Sequence, residues 1–166
     1  MVYVYSDPHY YHKNIIKYTD RPFKDVEEMN SELIKRWNNT VSKEDKVFIL
    51  GDFGFGNQEQ MKEIVSRLNG YIVLIMGNHD RHKTAKWWRE CGFFQVSEYP
   101  IIYRDFYILS HEPVFMNSHM PYLNIHGHKH HISMDKDYYV NVSVEKTDYK
   151  PVSFDELVSG YNMEEE

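Results

Sequence analysis

The sequence contains a single cysteine, Cys91, among 166 residues. One thiol cannot form an intrachain disulfide, so we expect a protein of the reducing cytoplasm rather than of an oxidising compartment. Long apolar runs are also missing, because the longest covers residues 71–76, far fewer than the ~20 residues of a membrane-spanning helix. The N-terminal segment has no basic region followed by an apolar stretch, and we therefore expect no export signal.

Positive charge is in deficit. Lysine and arginine number 19 against 25 acidic residues, and the net charge is −6. A broad basic face of the kind that binds nucleic acid is therefore not expected, and neither is strong nucleic-acid binding. Hydrophobic residues make up 42% and charged residues 27%, which excludes a disordered or collagen-like chain. Because no Pro/Gly/Ser-rich linker divides the sequence, we predict a single domain over residues 1–166.

The hydrophobic pattern differs between the two halves of the chain. Apolar runs at 2–6, 46–50 and 71–76 are typical of buried strands, and helical spacing follows Asp25 and precedes Asn69. A short helix is predicted over 83–90. The second half contains short strand-like runs at 94–96, 101–103, 106–109, 123–126 and 138–142. A last helix over 153–158 precedes an acidic tail, 164–166, that we expect to fray. This order predicts an α/β fold in which two mixed β-sheets pack as a sandwich flanked by helices.

Histidine is abundant, with ten residues, and most of these histidines lie near aspartate or asparagine. Aspartate, asparagine and histidine residues follow the ends of the predicted strands. They are Asp7, His9, Asp52, Asn78, His79, Asp80, His111, His128 and His130. In α/β sheets, ligands bind outside the carboxyl ends of the strands, where the loops converge. Each site alone is also compatible with an ordinary turn or a loop histidine. Taken together, the clustered imidazoles and carboxylates indicate a shared metal site.

The ordered blocks resemble the calcineurin-like metallophosphoesterase superfamily. They are Asp7-Pro8-His9, Gly51-Asp52, Gly77-Asn78-His79-Asp80, His111 and Gly127-His128-Lys129-His130. The segments 12–16, 110–113 and 141–144 are similar to those of small single-domain bacterial and phage phosphoesterases. The resemblance implies the superfamily's αββα architecture and a phosphohydrolase activity.

The resemblance further implies two divalent metal ions. One ion is expected on Asp7, His9, Asp52 and His130, and the other on Asp52, Asn78, His111 and His128. A hydroxide that bridges the ions is expected to attack phosphorus in line. His79 is the expected general acid, and Asp80 is expected to orient it. Oxygen and imidazole ligands without a thiolate suit manganese, the expected metal, and also nickel, zinc, iron or magnesium. Two such ions would change the net charge to about −2 and concentrate positive charge in the cleft.

The substrate is expected to be a small phosphoester or a nucleotide, contacted by His12 and Arg81. The sequence lacks the Asp-Arg-Gly of the superfamily's protein phosphatases, and Phe55 stands where purple acid phosphatases have a tyrosine ligand. A phosphodiesterase is therefore the expected function. A phosphomonoesterase acting on small molecules or proteins is the alternative within the enzyme class, and a non-catalytic scaffold on the same fold is the alternative outside it. The sequence leaves the oligomeric state open.

Overall fold

The computed structural model describes residues 1–161. Within this range the strands are β1 (Val2–Tyr5), β2 (Lys46–Leu50), β3 (Tyr71–Ile75), β4 (Gln95–Ser97), β5 (Ile101–Tyr103), β6 (Tyr107–Ser110), β7 (Leu123–His126), β8 (Tyr139–Asn141) and β9 (Val152–Ser153). The α-helices there are α1 (Ile15–Tyr18), α2 (Val26–Thr40), α3 (Gln58–Arg67), α4 (Ala85–Glu90) and α5 (Phe154–Val158). Two 3₁₀ turns lie at Asp80–His82 and Val144–Lys146.

The strands form two mixed sheets. The first has the order β4-β3-β2-β1-β9, with β1 to β4 parallel to one another and β9 antiparallel to β1. The second has the order β5-β6-β7-β8, in which β6, β7 and β8 are parallel and β5 is antiparallel. This confirms the predicted α/β class with two mixed sheets flanked by helices.

The first sheet divides the apolar residues between two cores. In β1, the side chains of Tyr3 and Tyr5 lie in the core that includes buried residues of α2 and α3, whereas Val4 lies in the core formed with the second sheet. Strands β2 and β3 alternate in the same way. Successive side chains of a strand point to opposite faces, so apolar residues at every position are needed when both faces are covered. The continuous apolar runs of the sequence are the result.

The helix boundaries follow from capping. The side chain of Asp25 accepts a hydrogen bond from the Glu28 amide at 2.8 Å and begins α2, as the sequence predicts. Helix α4 begins after Thr84 rather than at residue 83, because the Thr84 hydroxyl caps it. Among residues 1–161 the longest helix, α2, has 15 residues, and no helix there is long and apolar enough to cross a membrane. The single domain over 1–166 stays a prediction, and the expected fraying of 164–166 concerns residues outside the described range.

Candidate metal centre

The loops that follow β1, β2, β3, β6 and β7 meet at one end of the sandwich. The Asp7 amide donates to the Gly51 carbonyl at 3.1 Å, which joins the loops after β1 and β2. The His128 amide donates to Asp7 Oδ2 at 2.8 Å, which brings the loop after β7 against the loop after β1. Parallel strands present their carboxyl ends at the same edge, so this convergence follows from the topology.

The converging side chains form two groups of possible metal ligands. Asp7, His9 and His130 each offer an atom within 4.8 Å of the others, and Asp52, His111 and His128 do the same. Asp52, a member of the second group, also faces the first. Its Oδ2 is 3.6 Å from His9 Nε2 and 3.4 Å from His111 Nε2. The Asn78 side-chain oxygen lies 2.9 Å from His111 Nε2. All seven residues expected as ligands therefore lie in one cluster, and six of them form the two groups.

Two buried atoms in this cluster fit a cation. Asp7 Oδ1 and His9 Nε2 have no hydrogen-bond partner among the described residues, although both are buried. Buried polar atoms in folded proteins almost always have a partner. The other carboxylate oxygen, Asp7 Oδ2, accepts from the Ser6 hydroxyl at 2.7 Å and the Ser143 hydroxyl at 3.0 Å. One oxygen is thus held by the protein while the other is left for an ion.

The carboxylates and imidazoles of the site shift one another's pKa values. Burial alone would raise the pKa of Asp7, but the neighbouring imidazoles of His9, His111 and His130 hold it well below its usual range. Burial would lower the pKa of His111, yet the nearby carboxylates of Asp52 and Asp7 raise it to about 9. Both shifts reflect the negative charge of the buried carboxylates. Divalent ions would balance that charge.

The backbone at the ligands is unusual. Five of the ligand residues have positive φ, namely Asp7 (57°), His9 (55°), Asp52 (53°), His128 (66°) and His130 (46°). Residues other than glycine rarely adopt this left-handed region, and such conformations concentrate at functional sites. Gly127 allows the strand ends to approach closely, since a Cβ there would overlap Ser6 Oγ and Asp7 Oδ2.

His79 lies at the open side of the cluster. Its imidazole Nε2 is 3.9 Å from Asp52 Oδ2, and 39% of its side chain is exposed. The His79 amide donates to Asp52 Oδ1 at 3.0 Å, which fixes the loop on which the side chain is carried. The imidazole therefore borders both the ligand cluster and the solvent.

The position of Asp80 differs from the predicted one. Its carboxylate accepts from the backbone amides of Asp52 (2.7 Å), Gly77 (2.8 Å) and Phe53 (3.0 Å). It is fully buried and is not hydrogen-bonded to the His79 imidazole within residues 1–161. The 3₁₀ turn that begins at Asp80 directs the carboxylate under the loop after β2 instead of into the cleft. The expected orienting contact with His79 is therefore wrong, and Asp80 holds two ligand loops together.

The two predicted substrate contacts have different outcomes. His12 lies in the cleft, with its Nδ1 3.2 Å from His9 Nδ1 and its ring stacked on Phe55 at 4.0 Å. The guanidinium of Arg81 instead donates to both carboxylate oxygens of Glu112, at 2.6 and 3.0 Å. It also donates to the Met76 carbonyl. These partners engage the guanidinium in this structure, and the phosphate contact of Arg81 stays a prediction.

The structure adds two residues that sequence reasoning missed. Glu145 Oε1 accepts from His130 Nδ1 at 3.0 Å and from Arg21 at 2.8 Å, and both Arg21 and Glu145 side chains are fully buried. Arg21 also donates to the carbonyls of Asp7 and Pro8, each at 2.8 Å. Burial would raise the pKa of Glu145, but His130 and Arg21 lower it to about 2. Only the proximity of Glu145 to the segment 141–144 could have drawn attention to it.

Two known proteins are similar to this chain, one of them over nearly its whole length. An uncharacterized protein of Methanocaldococcus jannaschii, MJ1445, is 42% identical over 171 residues, covering 95% of this chain and 89% of that protein. The Gene 66 protein of Mycobacterium phage L5 is 38% identical over 78 residues, covering 45% of this chain and 37% of its own length.

A solved structure shares the fold. The crystal structure of AQ665 from Aquifex aeolicus, a protein of unknown function, has a TM-score of 0.74 and 28% identity, and the match covers 96% of this chain and 98% of that one. The family model described as calcineurin-like phosphoesterase matches residues 1–164. With two groups of possible metal ligands at the ends of its parallel strands, the chain belongs to the calcineurin-like phosphoesterase family.

Proposed function

We propose that this protein is a phosphodiesterase that uses two divalent metal ions. The first ion would be held by Asp7, His9, Asp52 and His130, and the second by Asp52, Asn78, His111 and His128. The observation that carries the proposal is the pair of ligand groups with Asp52 between them. Two divalent ions in such a site polarise a phosphoryl group and supply a hydroxide for in-line displacement. Manganese is the proposed metal, because the ligands are oxygen and imidazole.

His79 is the proposed general acid. When the bond between phosphorus and the ester oxygen breaks, that oxygen takes a proton from the protonated imidazole and leaves as an alcohol, and the imidazole becomes neutral. The imidazole borders the ligand cluster and is open to solvent, so it can reach a leaving oxygen and recover its proton from water. Asp80 acts indirectly in this proposal, because its carboxylate fixes the amides of Asp52 and Gly77.

The charges of the surrounding residues support a diester. A phosphodiester carries one negative charge, whereas a phosphomonoester carries up to two at neutral pH. Two arginines that bond to the site loops are already paired, Arg21 with Glu145 and Arg81 with Glu112. Each guanidinium has a carboxylate partner, so neither adds uncompensated positive charge for a second phosphate charge. The single charge of a diester, in a small phosphoester or a nucleotide, therefore suits the site better.

Hydrolysis of two matched substrates tests the proposal. Metal-stripped protein would be resupplied with Mn²⁺, Ni²⁺, Zn²⁺ or Mg²⁺ and given bis-p-nitrophenyl phosphate or p-nitrophenyl phosphate. We expect metal-dependent cleavage of the diester, and a loss of roughly 10²–10⁴-fold in His79→Ala at unchanged metal content. His119→Ala is the matched control, because His119 is exposed. Preference for the monoester would indicate a phosphomonoesterase, and no cleavage by the metal-loaded protein would favour a scaffold.

A further inference from the structure

A small cavity opens beside His79. It has a volume of about 110 Å³, and its lining includes Phe55, His79, Lys83, Trp87 and Trp88. Pockets for drug-sized ligands measure roughly 300–1,000 Å³, so this one can accept a single small group. We call it the aromatic slot.

The walls of the aromatic slot are flat and partly exposed. Phe55 is 42% exposed, although His12 stacks on it at 4.0 Å and the His79 ring lies 4.8 Å from it. Trp87 is half-buried on α4, and its ring meets that of Trp88 edge to face at 4.8 Å. The interaction between two aromatic rings is most favourable when they pack in offset-stacked or edge-to-face geometry. A slot with such walls fits a flat ring better than a branched or puckered group.

His79 determines which part of a substrate reaches the slot. A general acid must come within about 2.6–3.2 Å of the oxygen that it protonates. The group carried by that oxygen must then lie next to the imidazole, where the aromatic slot opens. Lys83 adds a positive charge there, with its Nζ 5.5 Å from the centre of the Trp87 ring. This charge can also contact the face of a flat ring as a cation–π pair.

We propose that the aromatic slot binds the leaving group of the substrate, and that this group contains a flat aromatic ring of the size of a phenol or one nucleobase. The inference rests on the proposed function, because His79 is taken as the general acid. It narrows the substrate class to phosphoesters whose leaving alcohol carries such a ring.

Two phosphonates with the same charge test the aromatic slot without depending on turnover. The methyl esters of benzylphosphonate and cyclohexylmethylphosphonate are monoanions like a phosphodiester. Each replaces the ester oxygen of the leaving group by a methylene, and the two differ only in that one ring is flat and the other is puckered. Their dissociation constants would be measured by calorimetry on the manganese-loaded protein. We expect the flat ring to bind about three- to tenfold more tightly. That ratio should fall to about one in both Trp87→Leu and Phe55→Leu.

The control variant is Phe115→Leu, the same substitution at an aromatic residue that is 87% exposed and does not line the slot. It should keep the ratio of the wild-type protein. Phe55→Leu, at a partly exposed position, keeps the test decisive if Trp87→Leu fails to fold. If the protein hydrolyses diesters but binds the two phosphonates equally, the proposed role of the aromatic slot is wrong and the proposed function stands. The same conclusion follows if the ratio of dissociation constants is unchanged in both leucine variants. No binding of either phosphonate, together with no hydrolysis, would overturn the proposed function as well.

Discussion

The imidazoles of the cluster are held from behind by acceptors that fix which nitrogen faces the site. His111 Nδ1 lies 2.8 Å from the Leu50 carbonyl, so it carries the proton and leaves Nε2 directed at Asp52 and Asn78. His130 Nδ1 has the Glu145 carboxylate as its acceptor, which leaves its Nε2 on the side of Asp7. Such outer partners orient metal-binding histidines and raise their basicity.

Glu145→Gln is expected to lower the affinity for divalent ions by about 10–100-fold. The amide would remove the negative charge that orients His130 and would leave the buried Arg21 guanidinium without its carboxylate partner. Titration calorimetry of Mn²⁺ into metal-free protein measures the change. Asp155→Asn makes the same acid-to-amide change in another arginine pair, with Arg104 at the surface, and should leave the affinity unchanged. An affinity that Glu145→Gln does not alter would show that His130 needs no support from Glu145.

At the scale of elements, the two sheets join where β1 and β7 end. Ser6 Oγ is within hydrogen-bond distance of the Leu50 carbonyl and of Asp7 Oδ2, and Ser6 also forms an isolated bridge with Ser143. The loop after β7 must come very close to these atoms, and Gly127 occupies that point because it has no Cβ. The contact between sheets and the position of Asp7 therefore depend on one glycine.

Gly127→Ala should destabilise the protein by about 1–3 kcal/mol, as overpacking of a buried position does. It should also weaken metal binding, because the added methyl group would displace Asp7 Oδ2 or Ser6 Oγ. Urea unfolding of the metal-free protein measures the first effect and calorimetry the second. Gly160→Ala is the control, since a Cβ at Gly160 meets nothing within 4 Å. Equal stability of the two variants would contradict the close approach.

Prediction from the sequence succeeded where a local pattern was long enough. The apolar runs correctly predicted β2 and β3, and the helical spacing after Asp25 correctly predicted α2. The four-residue α1 and the two-residue β9 are too short to carry a recognisable period. Contacts between distant segments were also beyond local reasoning, because the three amides that hold Asp80 and the pairing of Glu145 with His130 depend on the folded arrangement of loops.

At the scale of the whole molecule, the ligand cluster connects the two sheets. Asp7, His9, Asp52 and Asn78 follow strands of the first sheet, whereas His111, His128 and His130 follow strands of the second. An ion bound by either group therefore links two layers that otherwise meet through apolar packing. Ion binding should stabilise the sandwich as a unit rather than one loop.

Addition of Mn²⁺ to metal-free protein is expected to raise the melting temperature. A ligand present at 100 times its dissociation constant stabilises the folded state by about 2.7 kcal/mol, which corresponds to a shift of roughly 5–10 °C at this chain length. Differential scanning calorimetry measures it. Asp52→Asn should lose most of the shift, whereas Asp155→Asn should keep it. A shift of the same size in Asp52→Asn would mean that the ions bind elsewhere.

The positive φ angles of five ligand residues also restrict which donors this site can use. Asp, Asn and His occur in the left-handed region several times more often than other residues with a side chain. A cysteine or glutamate at Asp7 or His128 would add a backbone cost of up to about 1 kcal/mol before any metal is present, which is the free-energy equivalent of that difference in occurrence. Thiolates, which would favour soft ions, are therefore disfavoured by the backbone itself. The backbone thus adds to the preference for oxygen and imidazole donors that the side chains themselves give the site.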